Sequence, residues 1–404
     1  MPIAALALPF LLMGAADPGE RRFDLRDPAT RQPYDAARGY GVEPGGGEAG
    51  FAFSVAAEEG NHRVTVTFGD PRRSGVTTVK AESRRLMADA VRTRAGATMT
   101  RSFIVNIRNA RLAPPPANAP GGVTVQLKSR EQHSLTWDDK LTLEFLGTPA
   151  VTSITIAPAD VPTIYLTGDS TVTDQRAEPA ASWGQMLPAF LASDIAVANH
   201  AESGETMKSF IAELRLDKAL SRMRQGDWLL IQFGHNDQKR QWPQTYADPR
   251  FTYPAYLKAF IAEARARGAT PVLVTSPDRR NFDKDGRIES TLADYVAAMK
   301  RVAAEERVPL IDLNAASIAI YEALGPDRAP LAFNDGGADK THHNNYGAWL
   351  LARAVAEGMR TAAPDLARHL APGLAPFDPA RPPLPDQLTI APSLVQSDIR
   401  PAGS

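Results

Sequence analysis

The chain has 404 residues, more than one ordinary hydrophobic core accommodates, so two domains, or one domain with large additions, are expected. A formal net charge of −1, with no basic run carrying interleaved aromatics, argues against nucleic acid as a partner. There is no cysteine, which excludes disulfides, thiolate metal ligands and a cysteine nucleophile, while 43% hydrophobic and 23% charged residues is the balance of a soluble globular chain.

The apolar run Ile3 to Met13, closed by Gly14-Ala15-Ala16 before the polar stretch Asp17 to Arg22, predicts a signal peptide over residues 1–16 and a periplasmic or secreted location. It has no basic n-region, and a buried N-terminal strand or helix is the alternative. No other stretch approaches the ~20 apolar residues of a membrane span.

Residues 22–158 read as strands. Period-two alternation recurs over Gly50–Val55, His62–Gly69, Phe103–Ile107, Val123–Leu127 and Lys140–Phe145, with no amphipathic helix among them, which predicts an antiparallel β-sandwich. Leu112–Gly122, rich in Pro, Ala and Gly, reads as a surface loop.

Residues 159–371 alternate strands with helices, the pattern of a parallel sheet covered on both faces. Five strands are predicted at Thr163–Thr167, Ile195–Ala198, Asp227–Phe233, Pro271–Thr275 and Pro309–Leu313. Helices are predicted at Ser182–Leu191, Pro254–Arg267, Thr291–Glu306 and Tyr346–Thr361. Residues 372–404 are Pro-rich and read as a tail that is ordered only if it docks.

Four short elements could carry chemistry. Gly168-Asp169-Ser170-Thr171 follows the first strand of the parallel region, where such sheets present ligand-binding loops. Alone it is equally a helix N-cap. Gly204 lies in the loop after the second strand and can bring a backbone N–H close to a ligand. Gly234-His235-Asn236-Asp237 follows the third, and its Asn amide could donate to an oxyanion, although Asn-Asp is also a good turn pair. Asp339-Lys340-Thr341-His342 precedes the last helix; a carboxylate three residues before a histidine can orient its ring and favour the imidazolium. Taken together, the four supply a nucleophile, a base, an orienting acid and oxyanion donors from one sheet edge.

In this order, Gly168-Asp169-Ser170, Gly204, Gly234-His235-Asn236-Asp237 and Asp339-x-x-His342 resemble the SGNH (GDSL) hydrolase superfamily. Thr163–Gln175, Trp183-Gly184-Gln185 and the Gly-His-Asn-Asp block resemble its rhamnogalacturonan acetylesterase branch. The resemblance spans about Pro162 to Arg360 and implies a flavodoxin-like three-layer αβα domain with a five-stranded parallel sheet, preceded by a galactose-binding-like β-sandwich. It further implies Ser170 as nucleophile, His342 as general base, Asp339 as its orienting acid, an oxyanion hole of the Ser170 and Gly204 N–H groups with the Asn236 amide, and Asp169 and His235 in support. His343 is the rival base; the three-residue step from Asp339 selects His342. Glu205 departs from the arginine common in the family, and His343 from its frequent aromatic.

The implied activity is removal of O-acetyl groups from a pectic, rhamnogalacturonan-like polysaccharide through an acetyl-enzyme, with no cofactor and no metal. The partner implied is an acetylated oligo- or polysaccharide; the sequence does not speak to oligomeric state. Competing readings are an esterase for another acetylated glycan such as xylan, a lipase or thioesterase of the same superfamily, a metallophosphoesterase suggested by the Gly-Asp and Gly-His-Asn-Asp blocks, and an inactive carbohydrate-binding protein. Trp183 and Trp242 could stack on a sugar ring, though a Trp in such a helix is more often core.

Overall fold

The computed structural model of the chain describes residues 19–47, 49–112, 122–397, 399 and 401–402. The expected signal peptide, and most of the Pro/Ala/Gly-rich loop, lie outside them.

Among the described residues, nine antiparallel strands form the N-terminal region: β1 (Arg21–Asp24), β2 (Tyr40–Val42), β3 (Gly50–Ala56), β4 (Gly60–Gly69), β5 (Gly75–Ala81), β6 (Arg85–Thr93), β7 (Thr98–Ile107), β8 (Lys140–Thr148) and β9 (Val151–Pro158). They make one sheet of order β1-β9-β4-β7 and another of order β2-β3-β8-β5-β6. Alternation explains the packing: Val64, Val66 and Phe68 of β4 point into a core with Phe53, Leu143 and Phe145 from the other sheet. The expected strand at Val123–Leu127 is not formed. That segment makes a single bridge, Arg111 to Thr124, and then leaves the sandwich, its Gln126 N–H donating to Glu213 O at 3.0 Å.

Next come β10 (Thr163–Gly168), β11 (Ala180–Ala181), helix α1 (Trp183–Met186), β12 (Ala196–Asn199), α2 (Met207–Ala212), α3 (Arg215–Arg222), β13 (Trp228–Gln232), α4 (Thr252–Ala266), β14 (Thr270–Val274), α5 (Ala293–Glu306), β15 (Leu310–Ile311), α6 (Leu313–Arg328), β16 (His343–Asn344), α7 (Asn345–Ala362) and α8 (Pro364–Ala367). The five-stranded parallel sheet has the order β12-β10-β13-β14-β15, the flavodoxin-like arrangement in which the first strand lies between the second and third. One face packs under α1, α6 and α7, the other under α2 to α5. The helix expected at Ser182–Leu191 is one α turn followed by a 3-10 turn at Leu187–Phe190, because Pro188 has no N–H to continue the ladder. Among the described residues no helix is long and apolar enough to cross a membrane.

The two regions are packed together. Leu86 of β6 belongs to the apolar cluster of Val172, Trp183 and Met186, and beside it Arg85 Nε meets Asp174 Oδ2 at 2.6 Å with both side chains 2% exposed. Beyond Pro372 the chain docks: Phe377 and Ile390 are buried, Tyr346 donates to Pro383 O at 2.8 Å, and Glu178 N–H donates to Val395 O at 2.9 Å.

Candidate active site

Strand β10 delivers the Gly168-Asp169-Ser170 loop. A Cβ at Gly168 would lie 2.6 Å from Val172 Cγ2 and 2.7 Å from Gln232 O, so only glycine lets the chain turn this tightly against β13. The Asp169 carboxylate then fastens the turn, accepting the Thr171 N–H at 2.9 Å and the Thr171 hydroxyl at 2.8 Å. A relay backs it: Trp183 Nε1 donates to Gln232 Oε1, and Gln232 Nε2 donates to Thr171 Oγ1, both at 2.7 Å. Gln175 Nε2 holds the Ser170 carbonyl at 2.8 Å. On its other oxygen Asp169 faces His235 Nδ1 at 3.3 Å. Burial works against the Asp169 charge, but the facing imidazole and the Thr171 hydrogen bonds hold its pKa below the ordinary value. Burial also depresses the His235 pKa, which assigns the pair as a carboxylate and a neutral imidazole donating its Nδ1–H.

Ser170 Oγ lies 2.8 Å from His342 Nε2, and His342 Nδ1 lies 2.8 Å from Asp339 Oδ2. The other Asp339 oxygen accepts the N–H groups of Thr341 at 2.8 Å and His342 at 3.0 Å. Burial raises the Asp339 pKa, yet the His342 contact and these two N–H groups prevail and hold it at about 2. The loop is tied across the site by the two-residue ribbon in which β16 pairs with β11, and α7 begins on the Asn344 side chain, which accepts the Gly347 N–H at 3.1 Å.

Gly204 and Asn236 come from the ends of the strands flanking β10. Gly204 has φ +83°, a left-handed conformation natural to glycine, in the loop that leads to the Thr206 cap of α2. Asn236 Nδ2 donates to Glu205 O at 3.0 Å, which leaves the second N–H of its amide. Among the described residues, the Ser170 and Gly204 N–H groups find no protein acceptor. Ser170, Gly204 and Asn236 therefore stand at the carboxyl ends of three adjacent strands, beside the point where the strand order reverses.

His343 is turned away. Its Nε2 lies 2.7 Å from the Tyr321 hydroxyl, its ring sits against Phe333 with centroids 4.5 Å apart, and burial pushes its pKa down to about 3. Trp183 is buried, with its indole N–H spent on Gln232, so it belongs to the core; Trp242 is exposed, under the Lys239 ammonium at 4.5 Å.

Several residues of this site carry no motif. Gln232 had one readable signal, a polar residue ending the apolar strand Trp228–Gln232. Lys128 and Arg130 had none: Lys128 Nζ pairs with Glu205, and Arg130 Nε meets Glu202 Oε1 at 2.9 Å, so a peptide from the N-terminal region borders the Gly204 loop.

A five-stranded parallel sheet bearing a Ser-His-Asp chain at its carboxyl edge defines an αβα hydrolase, and the chain is an esterase. It belongs to the GDSL-like lipase/acylhydrolase family, which its residues 166–350 match. Rhamnogalacturonan acetylesterase RhgT of Bacillus subtilis is 42% identical over 220 residues, 51% of this chain and 93% of that protein. Probable rhamnogalacturonan acetylesterase YesY of the same organism is 40% identical over 49% of this chain and 92% of that protein. The crystal structure of protein YxiM, also from Bacillus subtilis, is 25% identical with a TM-score of 0.49, covering 85% of this chain and 98% of that one.

Proposed function

We propose that this esterase removes O-acetyl groups from a pectic, rhamnogalacturonan-like polysaccharide. The observation that carries the chemistry is the hydrogen-bonded chain Ser170, His342, Asp339. Ser170 Oγ attacks the ester carbonyl while His342 Nε2 takes its proton. The tetrahedral oxyanion is met by the Ser170 and Gly204 N–H groups and the Asn236 amide. His342 returns the proton to the departing sugar hydroxyl, leaving an acetyl-serine. Water, deprotonated by the same imidazole, then releases acetate and restores Ser170. Asp339 stays ionised throughout and steadies the imidazolium that forms at each step. Asp169 and His235 touch no reacting atom in this scheme; they hold the loop from which Ser170 projects.

Ser170 and His342 are each 1% exposed. A serine at that depth suits an acetyl group, which projects little beyond its ester oxygen, and disfavours the long acyl chains of lipase and thioesterase substrates. The pectic assignment is supported by the 42% and 40% identity to the two rhamnogalacturonan acetylesterases. Acetate release from acetylated rhamnogalacturonan, acetylated xylan and simple sugar acetates tests it, with Ser170→Ala as control. Preference for the rhamnogalacturonan is expected. Equal rates on all three would remove the pectic reading, and activity surviving in Ser170→Ala would remove the mechanism.

A further inference from the structure

The loop Glu202–Thr206, which presents Gly204, is fastened in part from outside its own domain. The ion pairs to its carboxylates come from one peptide of the N-terminal region and from Arg176 and Arg215. Lys128 Nζ pairs with Glu205, and Arg130 donates to the Ser203 carbonyl and, at 2.9 Å, to Glu202. Glu131 of the same peptide pairs with Arg215, whose Nε lies 3.5 Å from Glu205 Oε1. Arg176 Nη2 meets Glu202 Oε2 at 2.6 Å.

Glu205 sits at the centre of this arrangement. Its side chain is fully buried and accepts the Ser209 hydroxyl at 2.6 Å, while its carbonyl accepts Asn236 Nδ2 at 3.0 Å. One residue thus joins Lys128 on one side to the Asn236 amide on the other, with Gly204 directly before it in the chain. A Cβ built at Gly204 would lie 4.0 Å from Arg130 Nη2, so the guanidinium packs beside the very peptide whose N–H faces the site.

We propose that Lys128 and Arg130 are positioning residues of the esterase, holding Gly204 and Asn236 where they meet the oxyanion. The peptide between β7 and β8 is then a working part of the catalytic apparatus. The inference rests on the reading of Gly204 and Asn236 as oxyanion donors. Its physical basis is that a donor aimed at a transition state loses its value when displaced by a fraction of an ångström, and a loop without regular structure keeps its aim only through such fasteners. Removing Lys128 leaves the buried Glu205 carboxylate with less compensation, and burial already pushes its pKa up to about 7 against the attraction of Lys128 and Arg215.

The test uses the full-length protein hydrolysing p-nitrophenyl acetate, with kcat expressed per active site counted by a serine-directed phosphonate, so that unfolded molecules do not enter. Lys128→Met is expected to lower kcat about tenfold with KM within about twofold, Lys128→Arg to keep most of it, and Lys128→Met combined with Glu205→Gln to recover most of it. Arg130→Gln strips no buried carboxylate of its last partner, because Arg176 still holds Glu202. It is expected to fold and to lose several-fold in kcat. Wild-type kcat per site in both Lys128→Met and Arg130→Gln, with Asn236→Ala slow, would overturn the inference. So would failure of Glu205→Gln to restore the Lys128→Met enzyme. A fast Asn236→Ala would instead overturn the oxyanion reading beneath it.

Discussion

The Tyr321 hydroxyl and His343 Nε2 lie 2.7 Å apart, so the histidine next to the proposed base is spent inside the core. This pairing has a signature in stability. The His343 pKa is about 3 in the folded chain, against 6.5 for an ordinary histidine, because burial disfavours the imidazolium. The unfolded chain therefore binds a proton there that the folded chain refuses between those values. The contribution is fully present above about pH 6.5 and is lost as pH falls toward 3, at about 1.4 kcal/mol per pH unit. Denaturant unfolding of wild type and His343→Phe at several pH values between 4 and 7 should show a shallower acid slope in the variant. Parallel slopes would show that His343 does not titrate this way.

Asp339→Asn should leave the fold intact while lowering kcat on a small acetyl ester about 10³- to 10⁴-fold. The amide can still accept backbone N–H groups but no longer holds His342 in the tautomer that takes the Ser170 proton. Steady-state kinetics with a circular-dichroism check decides it. A loss below tenfold would mean that Asp339 is not the orienting acid.

Asn236→Ala should lower kcat about 100-fold or more and change KM little, because its second N–H is offered to a charge that exists only in the transition state. A change confined to KM would place Asn236 in ground-state binding.

Arg85→Met should destabilise the chain by about 3–5 kcal/mol, since it takes the only ion-pair partner from the buried Asp174 carboxylate at the junction of sandwich and parallel sheet and leaves it the Asn199 amide alone among the described residues. Asp174→Asn in that background should return part of the loss, and urea unfolding measures both. Unchanged stability in Arg85→Met would mean that the junction does not depend on this pair.

The parallel sheet and the active-site motifs were legible because their signals are local. A buried parallel strand is an apolar run such as Trp228–Phe233, and a catalytic loop announces itself by a glycine and small polar residues just after the run. Strands β5 and β6 were less legible, for their buried positions include Thr77, Lys80 and Arg85, whose partners Ala150, Glu178 and Asp174 lie far away in the chain. Helices α2 and α3 escaped for lack of clear stop signals, α6 was passed over although Gly325-Pro326 marks a break in it, and the Val123–Leu127 alternation misled because the backbone partners of that segment include Glu213 and Ala110.

By itself the sequence singled out Ser170, the histidine three residues after Asp339, Gly204, Asn236 and the parallel sheet that carries them, each by residue type within its own short motif. The tertiary structure decided how the two adjacent histidine rings face, His342 toward Ser170 and His343 toward Tyr321. It also decided that Lys128 lies against Glu205, 77 residues further along. The reason is physical: pairing between distant charges depends on how the sandwich and the parallel sheet pack, and that packing is directed by apolar surface that carries no record of which lysine will arrive beside which glutamate.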